Sequence, residues 1–356
     1  MRCNAGERRE PPLGPNVVLV TGVSRFLGGH LAARLAADPG IERVLAVDTE
    51  RPGRDLLRRM GRAEFVRADI RNPLIAKVIS RAGVDTVVHA AVNSRTAPGG
   101  RSAVKEMNVI GTMQLLAACQ KAPSVRRVVV RSTSAVYGAS SRDPAVFTES
   151  MMPKDLPSSG YAKDAVEIEG YVRAFGRRRP DVAVTTLRFS DLIGPRIDAM
   201  LTRYFAMPVV PVVLGFDARL QLLHAEDALA VLERAALAEL PGVFNVGGDG
   251  VLMLSQAIRR AGRLPMPVPG PAMSPLSRFF RGARLVDFSP EQMRYLNYGR
   301  VLDTAKLRTE FGYTPKWTTR EAFDDYVRGR GLRPVVDPEQ VLAAERGVGD
   351  VLTRLR

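Results

Sequence analysis

Three sets of residues in this chain have the types and spacing to do chemistry. The first is Thr21-Gly22, followed by Gly28 and Gly29. Before it stand four apolar β-formers, Val17-Val-Leu-Val20, and after it Leu31, Leu35 and Ala36 recur at helical spacing. Strand, glycine turn and helix bring backbone close to a pyrophosphate and aim free N–H groups and a positive dipole end at the anion. Gly22, Arg25, Phe26, Leu27 and Gly28 are the expected cradle. The second set is Asp48, twenty residues after Gly28, at the end of the apolar run Val44-Leu-Ala-Val47. A carboxylate there accepts hydrogen bonds from the adenosine ribose and opposes a 2′-phosphate, which favours NAD over NADP. The third set is Ser132-Thr133-Ser134, at the end of the apolar run Val125 to Arg131, with Tyr161 opening a later helix. Hydroxyls at the carboxyl end of a parallel strand sit where such sheets bind ligands.

One residue breaks the pattern of the turn. The spacing Thr-Gly-x-x-Gly-x-x-Gly places Arg25 where the middle glycine belongs. A side chain there either points away from the pyrophosphate or pairs with its oxygens through the guanidinium.

The elements that must position these groups alternate. Residues 63–70 read as a short strand ending in Asp69-Ile70, a pair that would sit beside an adenine at the sheet's carboxyl edge. Residues 84–91 are the next strand, and its small end residues Ala90 and Ala91 leave room for a flat cofactor. Helices are expected over Asn108 to Cys119 and Tyr161 to about Phe175, and a strand over Val182 to Phe189. The fold class is therefore α/β: a doubly wound parallel Rossmann sheet with a smaller C-terminal substrate domain. Residues 1–15 read as a disordered tail. The NAD-binding domain covers 16–195 plus 222–248, the substrate domain 196–221 plus 249–332, and 333–356 is a basic tail or helix. Pro208 and Pro211 mark an excursion, and Pro265 to Pro275 reads as a proline-rich loop.

Composition narrows the class. The chain has 356 residues and a formal net charge of +15, the charges being dispersed with no nucleic-acid motif beside them. Two cysteines, Cys3 and Cys119, rule out a disulfide framework, and the three histidines (His30, His89, His224) have no metal-ligand spacing. No apolar leader opens the chain, and the uncharged runs are too short and too proline-broken to span a bilayer, so a cytoplasmic protein is expected.

Taken in order, the motifs resemble the extended short-chain dehydrogenase/reductases, in particular the NAD-dependent UDP-sugar 4-epimerase and dehydratase branch in its arginine-rich actinobacterial form. The resemblance covers roughly residues 15–330. It rests on Thr21-Gly22 with Gly28, Asp48, Asp69-Ile70, His89-Ala-Ala91, Ser132-Thr-Ser-Ala-Val-Tyr-Gly138, Tyr161, Leu187-Arg-Phe189, Gly194-Pro195, His224 with Asp227, and Phe244-Asn-Val-Gly-Gly248. It implies Thr133 as the residue that orients a substrate hydroxyl, Tyr161 as general base, and a lysine one helical turn after the tyrosine.

That lysine position holds Ala165, and Lys163 lies about 200° round the helix. Where the family usually has asparagine before Gly-Pro, this chain has Asp191. Asp164, if near Tyr161, would oppose its ionisation. The resemblance implies an oxidoreductase or isomerase acting on a nucleotide-sugar-like hydroxyl or ketone by transient hydride transfer, as a homodimer. Arg25, Ala165 and Asp191 favour a catalytically impaired NAD-binding sensor or scaffold instead. The basic apolar stretch Pro275 to Val286 would suit a peripheral-membrane enzyme on a lipid-like substrate.

Overall fold

The computed structural model describes residues 14–91, 100–152, 157, 160–270 and 290–335. Residues 1–13, the stretch Pro275 to Val286 and residues 336–356 lie outside the described residues, and with them most of the proposed terminal tails, Cys3 and the basis for a lipid surface.

Seven strands form one parallel sheet. In chain order they include β1 (Val17–Thr21), β2 (Arg43–Asp48), β3 (Glu64–Arg67), β4 (Thr86–His89), β5 (Arg127–Thr133) and β6 (Ala183–Phe189). The short strands β7 (Asp191–Ile193), β8 (Val209–Val213), β9 (Arg219–Leu220) and β10 (Leu222–His224) lie outside it, and β11 (Gly242–Val246) closes its edge. The spatial order is β11-β6-β5-β4-β1-β2-β3, so the order of connections reverses between β1 and β4. An open α/β sheet binds ligands at such a reversal.

β1 is buried on both faces, as an internal parallel strand must be. Val18 and Val20 pack with helix α1 (Phe26–Ala37), while Val17 and Leu19 join Leu115, Leu116, Ile168 and Val172 on the other side. A second core holds Ile193, Tyr204, Phe205, Leu222, Phe323 and Tyr326. β10 divides the two: Leu222 faces the second core and Leu223 the first.

Two local readings change. The proline-rich run after Leu264 begins as a strand, Leu264–Val268, which pairs in parallel with β8. Its prolines alternate in register with those of β8, Pro265 beside Val210 and Pro211 beside Met266. A two-stranded ribbon leaves one edge of each strand unpaired, where a residue without an N–H fits. Likewise the helix expected from Asn108 starts earlier and is built in three pieces: Gly100–Lys105, a π-helical turn Glu106–Ile110, and Gly111–Lys121.

Candidate active site

The glycine turn is held by contacts that leave no room for side chains. Gly22 has φ +76°, and a Cβ on it would lie 2.7 Å from Ala91 Cα. That is why the small pair Ala90-Ala91 follows β4: the chain crosses directly over Gly22. A Cβ on Gly28 would lie 2.3 Å from the Gly22 carbonyl oxygen. Arg25, by contrast, has φ −99° and ψ 162°, an extended conformation open to any residue. Its N–H donates to Gly22 O at 3.2 Å and its exposed side chain stands at the rim of a cleft. The missing glycine therefore costs the turn no strain.

This cleft, about 1020 Å³, lies at the reversal point and is lined by Thr21, Gly22, Arg25, Asp48, Ile70 and Ala91, among others. Asp48 Oδ2 accepts the Ser24 N–H at 2.9 Å, which ties the end of β2 to the turn. A carboxylate has further lone pairs, so Asp48 keeps capacity for ribose hydroxyls. Phe26 and Leu27 turn their side chains elsewhere: Leu27 is in the core, and Phe26 stacks near His30 beneath Arg196. What they offer are the first N–H groups of α1, which have no intrahelical acceptor. Both Asp69 oxygens accept from Arg71, the shortest contact 2.6 Å, and this partner holds the carboxyl below its ordinary range. Ile70 and Arg71 line the cleft beside it.

Behind the cleft runs a buried relay. Thr21 Oγ1 and His89 Nδ1 are 2.8 Å apart, as are His89 Nε2 and Thr112 Oγ1, and Thr112 donates to the carbonyl of Asn108 at 2.5 Å. This is the bond a threonine hydroxyl makes to the carbonyl four residues back along a helix. With Thr112's proton so used, Nε2 is the imidazole's donor and Nδ1 its acceptor, so the network assigns a neutral His89. Burial, with the charge of Arg131 second, pushes its pKa down to about 4. An imidazole depressed in the fold stabilises it above the unfolded value of 6.5, and that contribution is lost as pH falls from 6.5 through about 4. The loss expected is about 3 kcal/mol. Urea unfolding from pH 7 down to 4 checks it, because His89→Gln should remove that part of the slope.

A second cavity, of about 870 Å³, opens at the ends of β5 and β6. It brings together Thr133 and Tyr161, as the sequence led one to expect, and adds Arg131, Asp191, Tyr295 and Arg300. Ser132 also lines it, and its hydroxyl donates to Glu169 Oε1 at 2.7 Å. The last two residues reach in from the helix Pro290–Tyr298 and the strand Gly299–Arg300, far along the chain, where no local pattern marks them. Arg131 had a signal, a charge at the end of the apolar run of β5.

The model of the NAD dependent epimerase/dehydratase family matches residues 18–247. The chain belongs to that family. An uncharacterized protein of Mycobacterium tuberculosis is 62% identical over 343 residues, covering 96% of this chain and 91% of its own length. The fold is shared with UDP-glucose 4-epimerase of Thermotoga maritima, solved with UDP-glucose: TM-score 0.69, 21% identity, 88% of this chain and 98% of that one. It is shared as well with UDP-glucuronic acid 4-epimerase of Bacillus cereus, solved with UDP-glucuronic acid and NAD: TM-score 0.67, 20% identity, 88% and 99% coverage.

As a member of an NAD-dependent family, the chain can be examined at its two unusual positions. Ala165 lies in helix α6 (Gly160–Arg178), four residues after Tyr161, 1% exposed. Val136, Tyr137, Phe147 and Leu302 close over it. Asp164 turns away onto another partner: Arg101 approaches its Oδ1 at 2.6 Å and also donates to Gly160 O. Its charge is thus matched at the start of α6. Asp191 lines the cavity, and burial raises its carboxyl above the ordinary value against the opposing pull of Arg300. His224 and Asp227 are structural. His224 Nδ1 accepts the Glu226 N–H, and its ring stacks on Trp317 at 4.1 Å. Asp227 accepts from Tyr313 and from the N–H groups of Lys316 and Trp317. The buried Cys119 thiol is pushed up to about 12 by desolvation, which leaves it inert at neutral pH. Among the described residues, no helix is long and apolar enough to cross a membrane.

Proposed function

We propose that this chain is an NAD-dependent enzyme that removes and returns a hydride at a hydroxyl-bearing carbon of a nucleotide-sugar-like substrate. The observation that carries the reading is the placement of both cavities at the carboxyl end of one parallel sheet, the first at its reversal point and the second at Thr133 and Tyr161. When bound, NAD supplies the hydride acceptor. The Gly22–Gly28 turn and the first N–H groups of α1 hold its diphosphate, and Asp48 takes the adenosine ribose. Thr133 and Tyr161 share the substrate hydroxyl. The same reading carries a homodimer through the outer helical faces, where Ile110 and Tyr171 are exposed.

Calorimetric titration with both cofactors tests the cofactor half of this reading. NAD binds more tightly than NADP, and Asp48→Ala weakens NAD more than NADP. Arg25→Gly removes a charge-assisted contact and lowers NAD affinity about tenfold. Tighter binding of NADP, or an Arg25→Gly variant that binds as well as the parent, would contradict the assignment.

A further inference from the structure

Oxidation of a hydroxyl-bearing carbon needs a group to take the hydroxyl proton. In this chain the helix position that would carry a cation beside Tyr161 holds Ala165, sealed in an apolar cluster. A tyrosine without such help is ionised to about one part in a thousand at pH 7. The same cavity contains a carboxylate. Thr133 pairs in parallel register with Phe189, and Asp191 is two residues further on. It opens β7 beyond the end of β6 and lines the same cavity as Thr133.

That carboxylate is held. The Tyr295 hydroxyl, on a residue 2% exposed, shares the cavity wall with it, and Arg300 adds its charge. Arg300 is itself fixed, 4.5 Å over the Tyr295 ring and donating to Gly138 O at 3.2 Å. Beside it Ser190 Oγ, on a residue 5% exposed, has no partner among the described residues. Asp191 lines the cavity together with Thr133, Tyr161, Tyr295 and Arg300.

We propose that Asp191, which replaces the asparagine usual in the family, is the group that exchanges the proton of the substrate hydroxyl. The assignment rests on the hydride-transfer reading above. In the forward step the O–H bond breaks and its proton passes to an Asp191 oxygen. The C–H bond breaks with its electron pair, which reduces the nicotinamide, and the former O–H pair forms the second bond of the carbonyl. The alcohol is oxidised, NAD is reduced, and return of hydride and proton reverses both. A carboxyl lifted by burial is a stronger base than one at the surface, and a carboxylic acid gives up its proton more readily than a phenol. The titratable and charged groups around it are Tyr295 and Arg300 from the C-terminal part, Arg131 from β5 and Tyr161 from α6.

The test loads the full-length protein with NAD, uses UDP-glucose as probe, and follows reduction of bound NAD by absorbance from pH 5 to 10. The rate should rise from the acid side and level off before pH 10. Asp191→Asn should lower it roughly 100-fold and remove the acid limb. Tyr161→Phe should slow it and leave the limb in place. A rate still climbing at pH 10, or Asp191→Asn retaining most of the rate, would overturn the proposal. A second arm needs no substrate. Infrared difference spectra between wild type and Asp191→Asn should contain a protonated-carboxyl band whose titration midpoint moves in Tyr295→Phe, and a missing band or an unmoved midpoint counts against the proposal. If the infrared arm succeeds while UDP-glucose leaves bound NAD oxidised, the choice of nucleotide sugar fails and the seat of the proton stands.

Discussion

Glu169→Ala lowers the stability of the fold by about 3–5 kcal/mol, because it strands a buried guanidinium. Glu169 and Arg188 have side chains only 5% and 6% exposed and meet in a bidentate pair, 2.7 and 2.9 Å. Burial alone would lower the basicity of Arg188, but the hydrogen bonds and charge of Glu169 outweigh it and raise the net value. Arg188 also donates to the Tyr137 hydroxyl at 2.8 Å and to Glu149 O at 3.1 Å, and Tyr137 donates to Asn245 at 2.8 Å. Removing the one acid therefore leaves a buried charge without its counter-ion, and the Ser132 hydroxyl, at the residue before Thr133, without its acceptor. Urea denaturation measures the loss. A change under about 1 kcal/mol would mean that water reaches the pair, as at surface ion pairs.

Ala165→Lys is expected to damage the protein rather than repair it. A lysine at this position would lie against Val136, Tyr137, Phe147 and Leu302, and in this chain those side chains pack against an alanine 1% exposed. Tyr137 and Phe147 stack there at 4.7 Å between centroids. A lysine overpacks the cluster and carries an ammonium into it, with a combined loss of about 3 kcal/mol or more. Thermal unfolding should show a clear fall in Tm, with no gain in hydride transfer near neutral pH. A variant that folds normally and turns over faster would mean that the lysine seat is intact and that Tyr161 is the base.

Much of the cofactor side was legible in the sequence because it is local. A run of β-formers, two glycines and a helical period lie within twenty residues, and backbone contacts at Gly22 and Gly28 account for them. Asp48 was legible for the same reason, since the end of β2 falls at a fixed distance from the turn. Side-chain direction was not. Ser132 and Thr133 are neighbours on one strand, so alternation sends one hydroxyl to Glu169 and leaves the other for the cavity. Asp69 is paired with Arg71, two residues away, and nothing in the spacing foretells that pairing. Tyr295 and Arg300 come to Asp191 only through the packing of the second core, which no periodicity encodes. The π turn at Asn108 was invisible because its apolar spacing still reads as a helix.

The most direct measurement of the central claim is a mixing experiment. Purified protein is loaded with NAD and mixed in turn with UDP-glucose, UDP-galactose, UDP-glucuronic acid and UDP-N-acetylglucosamine. Absorbance of reduced nicotinamide is followed, and the sugar products are separated. At least one sugar should reduce the bound NAD and emerge as its epimer or its keto derivative. NAD bound at the cleft but left oxidised by all four, with every sugar recovered unchanged, would contradict the enzymatic reading and leave a cofactor-binding protein without this chemistry.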